Sequence, residues 1–435
     1  MTGGALIPYF SQLEGRRVVL WQGRVTQVVG NLVESAGPPC CLGECCEIRD
    51  SGGHIYAGEV VGFRGSTVLT MPLEKPSGIR YGDAISARGE RPSLAVGDDL
   101  LGRVIDGAGQ SLDGLGPYVA RRRCALDGAA PSALNRLPIR EPLGCGVRAI
   151  DAFLTCGRGQ RLGIFGGSGV GKSTLIGMMA RGTAADLTVL ALVGERGREV
   201  GEFLDGLGEQ GRRRSVAVVS TSDQSPLLRI RAALAATSIA EYFCQEGHNV
   251  LLVVDSLTRF AMAQREIGLA AGEPPTAKAY TPSVFSMLAR LVERAGRFAS
   301  GSITAFYTVL MEGDDQQDPL VDALRSLVDG HIVLDRRLAA QNHYPPISVL
   351  DSLSRLMPSV VSREHLTKSH QLRALLSAYA KSEDLVRIGA YSKGADPVLD
   401  GAVAVLPELQ AFLRQTPQES APFADTVARL NSLSR

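Results

Sequence analysis

The sequence predicts an α/β protein in three parts: a small N-terminal β-barrel, a central parallel sheet covered by helices, and a C-terminal helical domain. Short apolar runs between glycine turns fill residues 17–90, and β-branched runs alternate with helical segments over residues 140–340. After residue 366, apolar side chains recur at helical spacing only. A chain of 435 residues also exceeds what one hydrophobic core usually serves. The expected domains are residues 1–91, 92–366 and 367–435.

The barrel prediction depends on short strand candidates near the start of the chain. They are Val18–Trp21, Val25–Val29, Ala57–Val61 and Ser66–Thr70. Short runs separated by glycines suit the strands of a small barrel better than a βαβ unit. A stretch rich in glycine and proline, residues 89–117, then separates this pattern from the next one.

The central sheet is predicted from apolar runs rich in β-branched residues. They are Leu162–Phe165, Thr188–Val193, Val216–Val219, Val250–Val254, Ile303–Leu310 and Ile332–Leu334. Strands of a parallel sheet are buried on both faces, so they read as continuous apolar runs, and helical segments connect them. The helical domain is predicted from two sets of apolar residues: Leu372, Leu375, Leu376 and Tyr379, and Leu406, Leu409, Phe412 and Leu413.

Composition and charge exclude several classes of protein. The 46 basic side chains nearly cancel the 45 acidic ones, and the longest basic runs are Arg121–Arg123 and Arg212–Arg214. Proteins that hold nucleic acid carry a basic excess or patch, so we expect no nucleic-acid partner. No apolar run reaches the roughly 18 residues that span a bilayer, and the N-terminus does not read as a signal peptide. We therefore expect a cytoplasmic protein.

The eight cysteines do not indicate a disulfide framework in a cytosolic chain of this length. Four of them form two adjacent pairs, Cys40–Cys41 and Cys45–Cys46. Their spacing is compatible with zinc, but no matching distal pair follows, and neighbouring residues of a strand point to opposite faces. We expect no metal at this cluster.

A glycine-rich phosphate-binding loop is the clearest local motif of the chain. Residues 166–173 fit the pattern G-x-x-x-x-G-K-[ST], in which backbone N–H groups wrap the phosphates and the lysine reaches the β- and γ-phosphates. A strand candidate precedes the motif and a helical segment follows it, as a P-loop requires. The predicted ATP-binding residues are Gly166, Gly167, Ser168, Gly169, Val170, Gly171, Lys172, Ser173 and the adjacent Thr174.

A magnesium ligand is predicted at Asp255, which ends the apolar run Val250–Val254. ATP hydrolysis needs Mg²⁺ opposite the phosphates, and an aspartate at the end of a buried strand is a usual way to hold it. By itself such an aspartate is more often a turn or helix-cap residue, but the upstream P-loop favours the metal. Ser173 would be the direct ligand, with Asp255 acting directly or through a water.

A catalytic base must lie near the γ-phosphate, and the end of a strand close to the P-loop strand is a suitable place. The candidate strand Thr188–Val193 is followed by Gly194-Glu195-Arg196-Gly197-Arg198-Glu199. Glu195 is the better candidate in this segment. The pattern alone nevertheless favours a surface loop of paired charges.

Several separated segments match one family in order and spacing. They are Gly169–Thr174, Gly194–Glu199, Asp255–Ala261, Tyr280–Phe285, Glu312–Asp315, Asp329–Leu334 and His343–Pro345. On these segments the chain resembles the type III protein-export ATPases, which comprise the flagellar export ATPase and its virulence-secretion relatives. This family is itself similar to the catalytic subunit of rotary ATP synthases. The resemblance covers residues 23–414 and implies a RecA-like central domain.

The resemblance also implies roles for single residues. Glu195 matches the catalytic glutamate that activates the attacking water, and Arg355 matches the arginine finger that reaches a neighbouring subunit's site. Tyr344 matches an aromatic residue that stacks on adenine, while Arg196 and Arg259 match arginines that line the site. From the residues alone, Arg355 reads as a surface ion-pair residue and Tyr344 as a core tyrosine. The implied catalytic set is Lys172, Glu195, Arg196, Asp255 and Arg355.

An assembly and partners are implied as well. The family forms homohexamers around a central coiled-coil stalk protein, and its barrel domain serves oligomerisation. Its N-terminal region contacts a regulatory stator-like protein, and its C-terminal domain meets chaperone–substrate complexes. ATP hydrolysis then releases substrates from chaperones and feeds them to a membrane export gate. The implied location is the cytoplasmic side of the inner membrane. Residues 382–391 favour the flagellar version, and Ala279 departs from the family by standing where glycine is common.

Other functions stay open on the sequence. A virulence secretion ATPase is the nearest alternative. A rotary ATP synthase subunit would need a homologous partner subunit, and a non-catalytic ring subunit would be expected to lack Glu195. A RecA-like nucleic-acid motor would need a basic face rich in aromatic residues. An ATPase assay with and without RNA separates the last two from an export ATPase.

Overall fold

The structure is a computed structural model that describes residues 21–311 and 318–433. These residues form two compact units. One unit runs to Pro92 and includes Ala270–Gly272, and the other comprises the remaining described residues. Among the helices of these residues, none combines the length and apolar composition that crossing a bilayer would need.

A closed barrel of antiparallel strands forms the first unit. Its strands are β1 (Gln22–Val29), β2 (Leu32–Ala36), β3 (Cys45–Arg49), β4 (Ile55–Arg64), β5 (Thr67–Pro72) and β6 (Ala84–Ala87). They are hydrogen-bonded in the order β1-β2-β5-β4-β3-β6, and β6 closes on β1. Alternate side chains point inward, because successive residues of a strand face opposite sides. The core includes Val25, Val33, Ile48, Val60 and Ile85.

The predicted barrel is confirmed, although the sequence predicts only part of its strands. The candidates Val25–Val29, Ala57–Val61 and Ser66–Thr70 overlap β1, β4 and β5. Val18–Trp21 lies outside the described residues except for Trp21, which precedes β1. The strands β2, β3 and β6 are only four or five residues long and are interrupted by polar residues, so no continuous apolar run marks them. Cys46 is buried in the core, whereas Cys45 faces the other side of β3.

A nine-stranded sheet forms the centre of the second unit. The strands that follow the barrel are β7 (Ser93–Val96), β8 (Val104–Asp106), β9 (Arg122–Ala125), β10 (Pro142–Leu143), β11 (Cys156–Gly157), β12 (Arg161–Gly166), β13 (Leu187–Glu195), β14 (Ser215–Thr221), β15 (Asn249–Asp255), β16 (Gly296–Arg297), β17 (Ser302–Leu310), β18 (Gly330–Leu334) and β19 (Ile347–Ser354). The order in the sheet is β19-β18-β12-β17-β15-β13-β14-β8, with β16 paired to β17. The pairs β7–β9 and β10–β11 form separate two-stranded sheets.

The direction of the strands decides which residues can meet. From β18 to β8 the strands are parallel, as predicted, whereas β19 is antiparallel to β18. The carboxyl ends of β12, β13 and β15 therefore meet along one edge of the sheet, the carboxyl edge. The carboxyl end of β19 lies along the opposite edge, where the parallel strands begin. The sequence does not predict β8, which is very short, or β19, in which buried and exposed residues are mixed.

Helices connect the strands and form the C-terminal part. They are α1 (Arg148–Phe153), α2 (Lys172–Gly182), α3 (Gly197–Gly206), α4 (Gly208–Arg213), α5 (Pro226–Gln245), α6 (Leu257–Ala271), α7 (Pro282–Val292), α8 (Pro319–Leu327), α9 (Arg336–Ala340), α10 (Met357–Val360), α11 (Arg363–Arg387), α12 (Pro397–Leu413) and α13 (Phe423–Ser432). Short 3-10 helices span Asp98–Leu100, Ala133–Asn135 and Ala277–Ala279. The predicted helical C-terminal part is confirmed. Leu372 and Phe412 share one hydrophobic cluster with Ile164, so these helices pack on the core of the sheet.

Candidate active site

The glycine-rich loop joins the end of β12 to the start of α2. Gly169 and Gly171 have φ angles of +76° and +103°, which side chains with a Cβ rarely adopt, so glycine is needed at both positions. A Cβ at Gly169 would have no atom within 4 Å, so the space above the loop is open. Val170 is buried and anchors the loop in the core. The eleven-residue helix α2 presents its N-terminus to this space, and helix N-termini favour anions.

Lys172 is folded back onto the same loop. Its side-chain Nζ donates to the carbonyl oxygen of Gly166 at 2.9 Å and also to that of Gly167. The residue is only 8% exposed, and burying an ammonium group costs free energy unless an acceptor or an anion faces it. A positive buried group, a loop of backbone N–H donors and open space together fit the phosphates of a nucleotide.

A cavity of about 570 Å³ brings the predicted site residues together at the carboxyl edge of the sheet. Lys172, Ser173, Glu195, Arg196 and Asp255 all line it. The other lining residues are Ser168, Gly169, Gly171, Thr174, Gly194, Glu199, Ser222, Arg259 and Leu310. These residues come from the ends of separate strands and the helices that follow them, so parallel strand direction is what gathers them.

Asp255 is the last residue of β15 and is 4% exposed. Its Oδ1 accepts a hydrogen bond of 2.6 Å from the Thr308 hydroxyl. Burial raises the pKa of Asp255, and Thr308 and the charge of Lys172 act against that rise. The sequence does not single out Thr308, although a polar residue within an apolar strand was a signal for it.

The residues around Asp255 fit a magnesium ion. Asp255 and Ser173 offer oxygen atoms to the same cavity, and Mg²⁺ prefers oxygen ligands. Within the described part of the chain there is no group of three or more histidine, cysteine or acidic residues that could hold a metal. Mg²⁺ does not need such a group, because it usually takes one or two protein ligands together with phosphate oxygens.

Glu195 ends β13 and is half-buried. Burial raises its pKa to about 7, with further contributions from the negative charge of Asp255 and a hydrogen bond with Glu199, while Arg259 opposes the shift. A carboxylate with a pKa near neutrality is suited to accept a proton from water. Glu199 was missed as a site residue in the sequence, where it reads as part of a surface charge pair.

Two arginines lie beside Glu195. Arg196 is exposed, and its nearest acidic atom in an ion pair is Glu199 Oε1 at 3.9 Å. Arg259 is half-buried, and its Nε is buried without a hydrogen-bond partner among the described residues. A Cβ at Gly194 would come within 2.9 Å of Arg259 Cβ, and Gly194 has a φ of +71°. Glycine at position 194 therefore allows Arg259 to approach the strand end.

Tyr344 lines a second cavity, of about 480 Å³, which shares Gly171 and Thr174 with the first. Its wall also includes Pro346, Arg414 and Gln415. The residue is 44% exposed and is therefore not the core tyrosine that the residues alone suggest. An exposed aromatic face beside the phosphate loop is suited to stack on a base.

Gln415 closes this second cavity and was not recognised in the sequence. Its backbone N–H donates to the Tyr344 carbonyl at 2.8 Å, and its side-chain amide donates to the Gly146 carbonyl at 2.8 Å. The side-chain oxygen accepts from the Arg148 N–H at 3.0 Å. The segment after α12 is thus fixed against the start of α1, far away in the sequence. No local pattern could have indicated this contact.

Arg355 does not belong to this chain's own cavity. It follows β19, whose last residue Ser354 pairs with Gly330 at the start of β18. Its N–H donates to the Asp329 carbonyl at 3.0 Å, and Asp329 also binds Arg161 at the start of β12. The length of β12, about 16 Å at 3.3 Å per residue, thus separates this edge from the P-loop. The arginine side chain is exposed, and its Nη2 lies 3.5 Å from the Arg325 carbonyl.

The segment Glu312–Asp315, which contributes to the resemblance, lies outside the described residues. The structure therefore places Lys172, Ser173, Glu195, Arg196 and Asp255 in one cavity and Tyr344 in the adjoining one. Arg355 stands at the opposite edge of the sheet.

Comparison with protein families covers each part of the chain. Residues 146–354 match the nucleotide-binding domain of the ATP synthase alpha/beta family, and residues 25–89 match the beta-barrel domain of the same family. Residues 361–432 match the C-terminal domain of the T3SS EscN ATPase.

Comparison with single proteins agrees with these family matches. The flagellum-specific ATP synthase of Treponema pallidum is 51% identical over 437 residues, which cover 100% of this chain and 98% of that protein. The type 3 secretion system ATPase of Sinorhizobium fredii is 47% identical over 415 residues, which cover 95% and 92%. The assembled ATPase EscN in complex with its central stalk EscO, from the type III secretion system of enteropathogenic E. coli, has a TM-score of 0.88. It is 42% identical and covers 94% of this chain and 99% of EscN. The chain therefore belongs to the type III protein-export ATPases, the family of the flagellum-specific ATP synthases and the type 3 secretion system ATPases, and it is an ATPase.

Proposed function

We propose that this chain is the ATPase of a flagellar protein-export apparatus, where it couples ATP hydrolysis to the release of export substrates from chaperones and their delivery to a membrane export gate. The observation that carries the proposal is the cavity in which Lys172, Ser173, Glu195 and Asp255 meet at the carboxyl edge of the parallel sheet. A flagellar role is chosen over a virulence role because the flagellar relative is somewhat more similar than the secretion relative.

The residues of the cavity divide the chemistry among them. Lys172 and the loop N–H groups bind the β- and γ-phosphates. Ser173 and Asp255 would hold Mg²⁺, which neutralises phosphate charge when bound. Glu195 orients the attacking water and accepts its proton at a carboxylate oxygen, for which a pKa of about 7 is suitable. Tyr344 stacks on adenine in the adjoining cavity, while Arg196 and Arg259 add positive charge beside the phosphates.

Arg355 completes the site of another copy in this proposal. A side chain at the edge of the sheet opposite its own P-loop is badly placed for catalysis within one chain, whereas a ring can bring it to the next subunit. The solved EscN structure is an assembled ATPase with a central stalk protein. We extend this arrangement to the present chain as a homohexamer around a coiled-coil stalk. The formal charge of +1 does not oppose such self-association.

The domains have separate tasks in the proposed ring. Residues 1–91 serve oligomerisation, residues 92–366 carry the ATPase, and residues 367–435 meet chaperone–substrate complexes. The proposed regulator contact falls on the N-terminal region, whose first 20 residues lie outside the described part. The proposed location is the cytoplasm, with peripheral association with the inner-membrane export apparatus, and no nucleic acid takes part.

The first test is the turnover of an Arg355→Ala variant. We expect it to bind a fluorescent ATP analogue like the wild type and to lose turnover by about a thousandfold, because an arginine finger stabilises charge that develops only in the transition state. Steady-state phosphate release, with and without RNA, measures this. Near-normal turnover by a folded variant would remove Arg355 from the mechanism, and stimulation by RNA would favour a nucleic-acid motor.

The second test separates the flagellar from the virulence role. Expression of the chain in a Bacillus subtilis strain without its own flagellum-specific ATP synthase is expected to restore swimming, and the Arg355→Ala variant is the control that should not. Failure of a well-expressed wild-type chain in this strain, together with rescue of secretion in a strain lacking its type 3 secretion system ATPase, would support the virulence role instead.

A further inference from the structure

A threonine hydroxyl beside Asp255 has no role in the function proposed above. Thr308 lies on β17 next to the end of β15, where the register pairs Val254 with Tyr307, one residue earlier on each strand. Its Oγ1 donates to Asp255 Oδ1 at 2.6 Å. Thr308 is fully buried and Asp255 almost so. A short hydrogen bond to a carboxylate away from water is among the stronger kinds in proteins.

Thr308 and the adjacent Tyr307 both bury a hydroxyl in this part of the strand, but that of Tyr307 has no hydrogen-bond partner among the described residues. Phe306 and Val309 are apolar and fully buried, and a valine at position 308 would have almost the same shape. Burying a hydroxyl is unfavourable unless it forms a hydrogen bond, so a purely structural role would be served better by valine. The hydroxyl also lies 3.3 Å from the Val254 carbonyl, but its bond of 2.6 Å to Asp255 is much shorter and is therefore the main feature that distinguishes threonine from valine here.

The other buried threonine of β17 has a different contact. Thr304 is 2% exposed, and its hydroxyl accepts a hydrogen bond of 2.8 Å from the Gly159 N–H. Gly159 precedes β12, so this contact lies at the edge of the sheet away from the P-loop. Both threonines lie on β17 and are buried, but only Thr308 contacts a residue of the cavity.

The contact restricts the carboxylate of Asp255. Thr308 occupies Oδ1, and no hydrogen bond from the described residues reaches Oδ2. A carboxylate held at one oxygen cannot rotate freely about its Cβ–Cγ bond. The remaining oxygen thus has a defined direction in a residue that lines the cavity together with Lys172 and Ser173.

We propose that Thr308 is a positioning residue for magnesium: it fixes the rotation of the Asp255 carboxylate so that one oxygen stays available to Mg²⁺ or to a water of its shell. The inference rests on the proposed function, because Asp255 needs this orientation only if a cation is bound there. Thr308 does not touch the nucleotide. Its loss should weaken the dependence of binding on Mg²⁺ and leave metal-free nucleotide binding intact.

The test is the Thr308→Val variant of the full-length protein, which removes the hydroxyl at nearly constant volume. Binding of a fluorescent ATP analogue is measured as Mg²⁺ is titrated, and again in EDTA. We expect the Mg²⁺ concentration at half-saturation to rise about tenfold, the lower end of what loss of a hydrogen bond to a metal ligand causes, with EDTA affinity unchanged. Thr308→Ser keeps the hydroxyl and should stay close to wild type.

Thr304→Val is the matched control, because it removes the other buried hydroxyl of β17 far from the site. An unchanged Mg²⁺ dependence in folded Thr308→Val would overturn the proposal, as would an equal change in Thr304→Val. If thermal unfolding shows that Thr308→Val is not folded, Thr308→Ala applies the same test without a new methyl group. Wild-type protein without ATP turnover contradicts the proposed function, whereas normal wild-type turnover with unaffected variants contradicts only the role of Thr308.

Discussion

Three buried or half-buried carboxyl groups of the ATPase unit have raised pKa values for the same leading reason, burial, yet they differ in what faces them. Glu195 and Asp255 line the nucleotide cavity. Asp151 lies in α1 away from it and accepts hydrogen bonds from the N–H groups of Cys145 and Gly146. A raised pKa therefore does not by itself identify a candidate catalytic group here. The residues that surround each carboxyl group distinguish a candidate site residue from a structural one. Asp151 is a structural residue that holds a turn.

Asp151 predicts a pH dependence of stability. Burial raises the pKa of Asp151 to about 7, whereas an unfolded aspartate titrates near 4. The folded state therefore binds this proton more tightly, and stability is lost as pH rises from about 4 to about 7, by up to roughly 1.4 kcal/mol per pH unit. Asp151→Asn cannot ionise, so its stability relative to wild type should improve between pH 5 and pH 8.

Melting temperatures of both proteins across that range measure the effect. Asp106→Asn is the control, because Asp106 also accepts two backbone N–H bonds, from Ala108 and Gln110, but is not fully buried. A melting temperature of Asp151→Asn that stays constant or falls relative to wild type toward pH 8 would contradict the prediction.

At the scale of elements, the candidate site residues lie at the ends of strands, and among the described residues those other than glycine with a positive φ lie in the turns between elements. The 3-10 turn Ala277–Ala279 is an example, because Lys278 and Ala279 have φ angles of +51° and +59°. A left-handed conformation costs a residue with a Cβ roughly 1–2 kcal/mol. The resemblance singles out Ala279 as a position where the family often has glycine, and the backbone explains that preference.

Ala279→Gly should stabilise the protein slightly. Relief of the left-handed strain exceeds the entropic cost of glycine by up to about 1 kcal/mol, which corresponds to a rise in melting temperature of on the order of 1 °C for a chain of this size. Ala277→Gly, in the same turn but with a negative φ, is the matched control and should lower the melting temperature. Equal shifts in the two variants would show that strain at Ala279 does not limit stability.

At the scale of the whole molecule, the P-loop cavity and Arg355 stand at opposite edges of one sheet. A single chain can therefore hold the nucleotide without its own finger, and the proposed site belongs to the boundary between two copies. This arrangement makes defects in the cavity and in the finger complementary, since each damaged subunit keeps the half that its neighbour lacks.

Mixed rings test this directly. Glu195→Gln subunits keep the proposed finger, and Arg355→Ala subunits keep the proposed catalytic glutamate, so each alone should be nearly inactive. Random assembly at equal amounts pairs an intact glutamate with an intact finger at about a quarter of the interfaces, and phosphate release should recover to about that fraction of wild type. Mixing either variant with more of itself is the control. Absence of recovery in rings shown by mass measurement to be mixed would contradict a finger that acts between subunits.

The sequence by itself determined the features that are local or periodic. The P-loop depends on glycines and a lysine that are contiguous, and the central strands and C-terminal helices show as apolar runs of the right period. The positions of Asp255 and Glu195 at strand ends could be predicted because each directly follows, or ends, such a run, although for Glu195 the pattern alone favours a surface loop. The edge strand β19 could not, because its mixed burial depends on what packs against each of its faces.

Only the tertiary structure decided how distant residues meet. The Thr308–Asp255 hydrogen bond depends on the register between β17 and β15, and the closure of the second cavity, beside Tyr344, by Gln415 depends on packing α12 against α1. The position of Arg355 opposite the P-loop follows from the reversed direction of β19. These contacts join residues tens to hundreds of positions apart, and they are set by packing over the whole core, which no short segment of the sequence encodes.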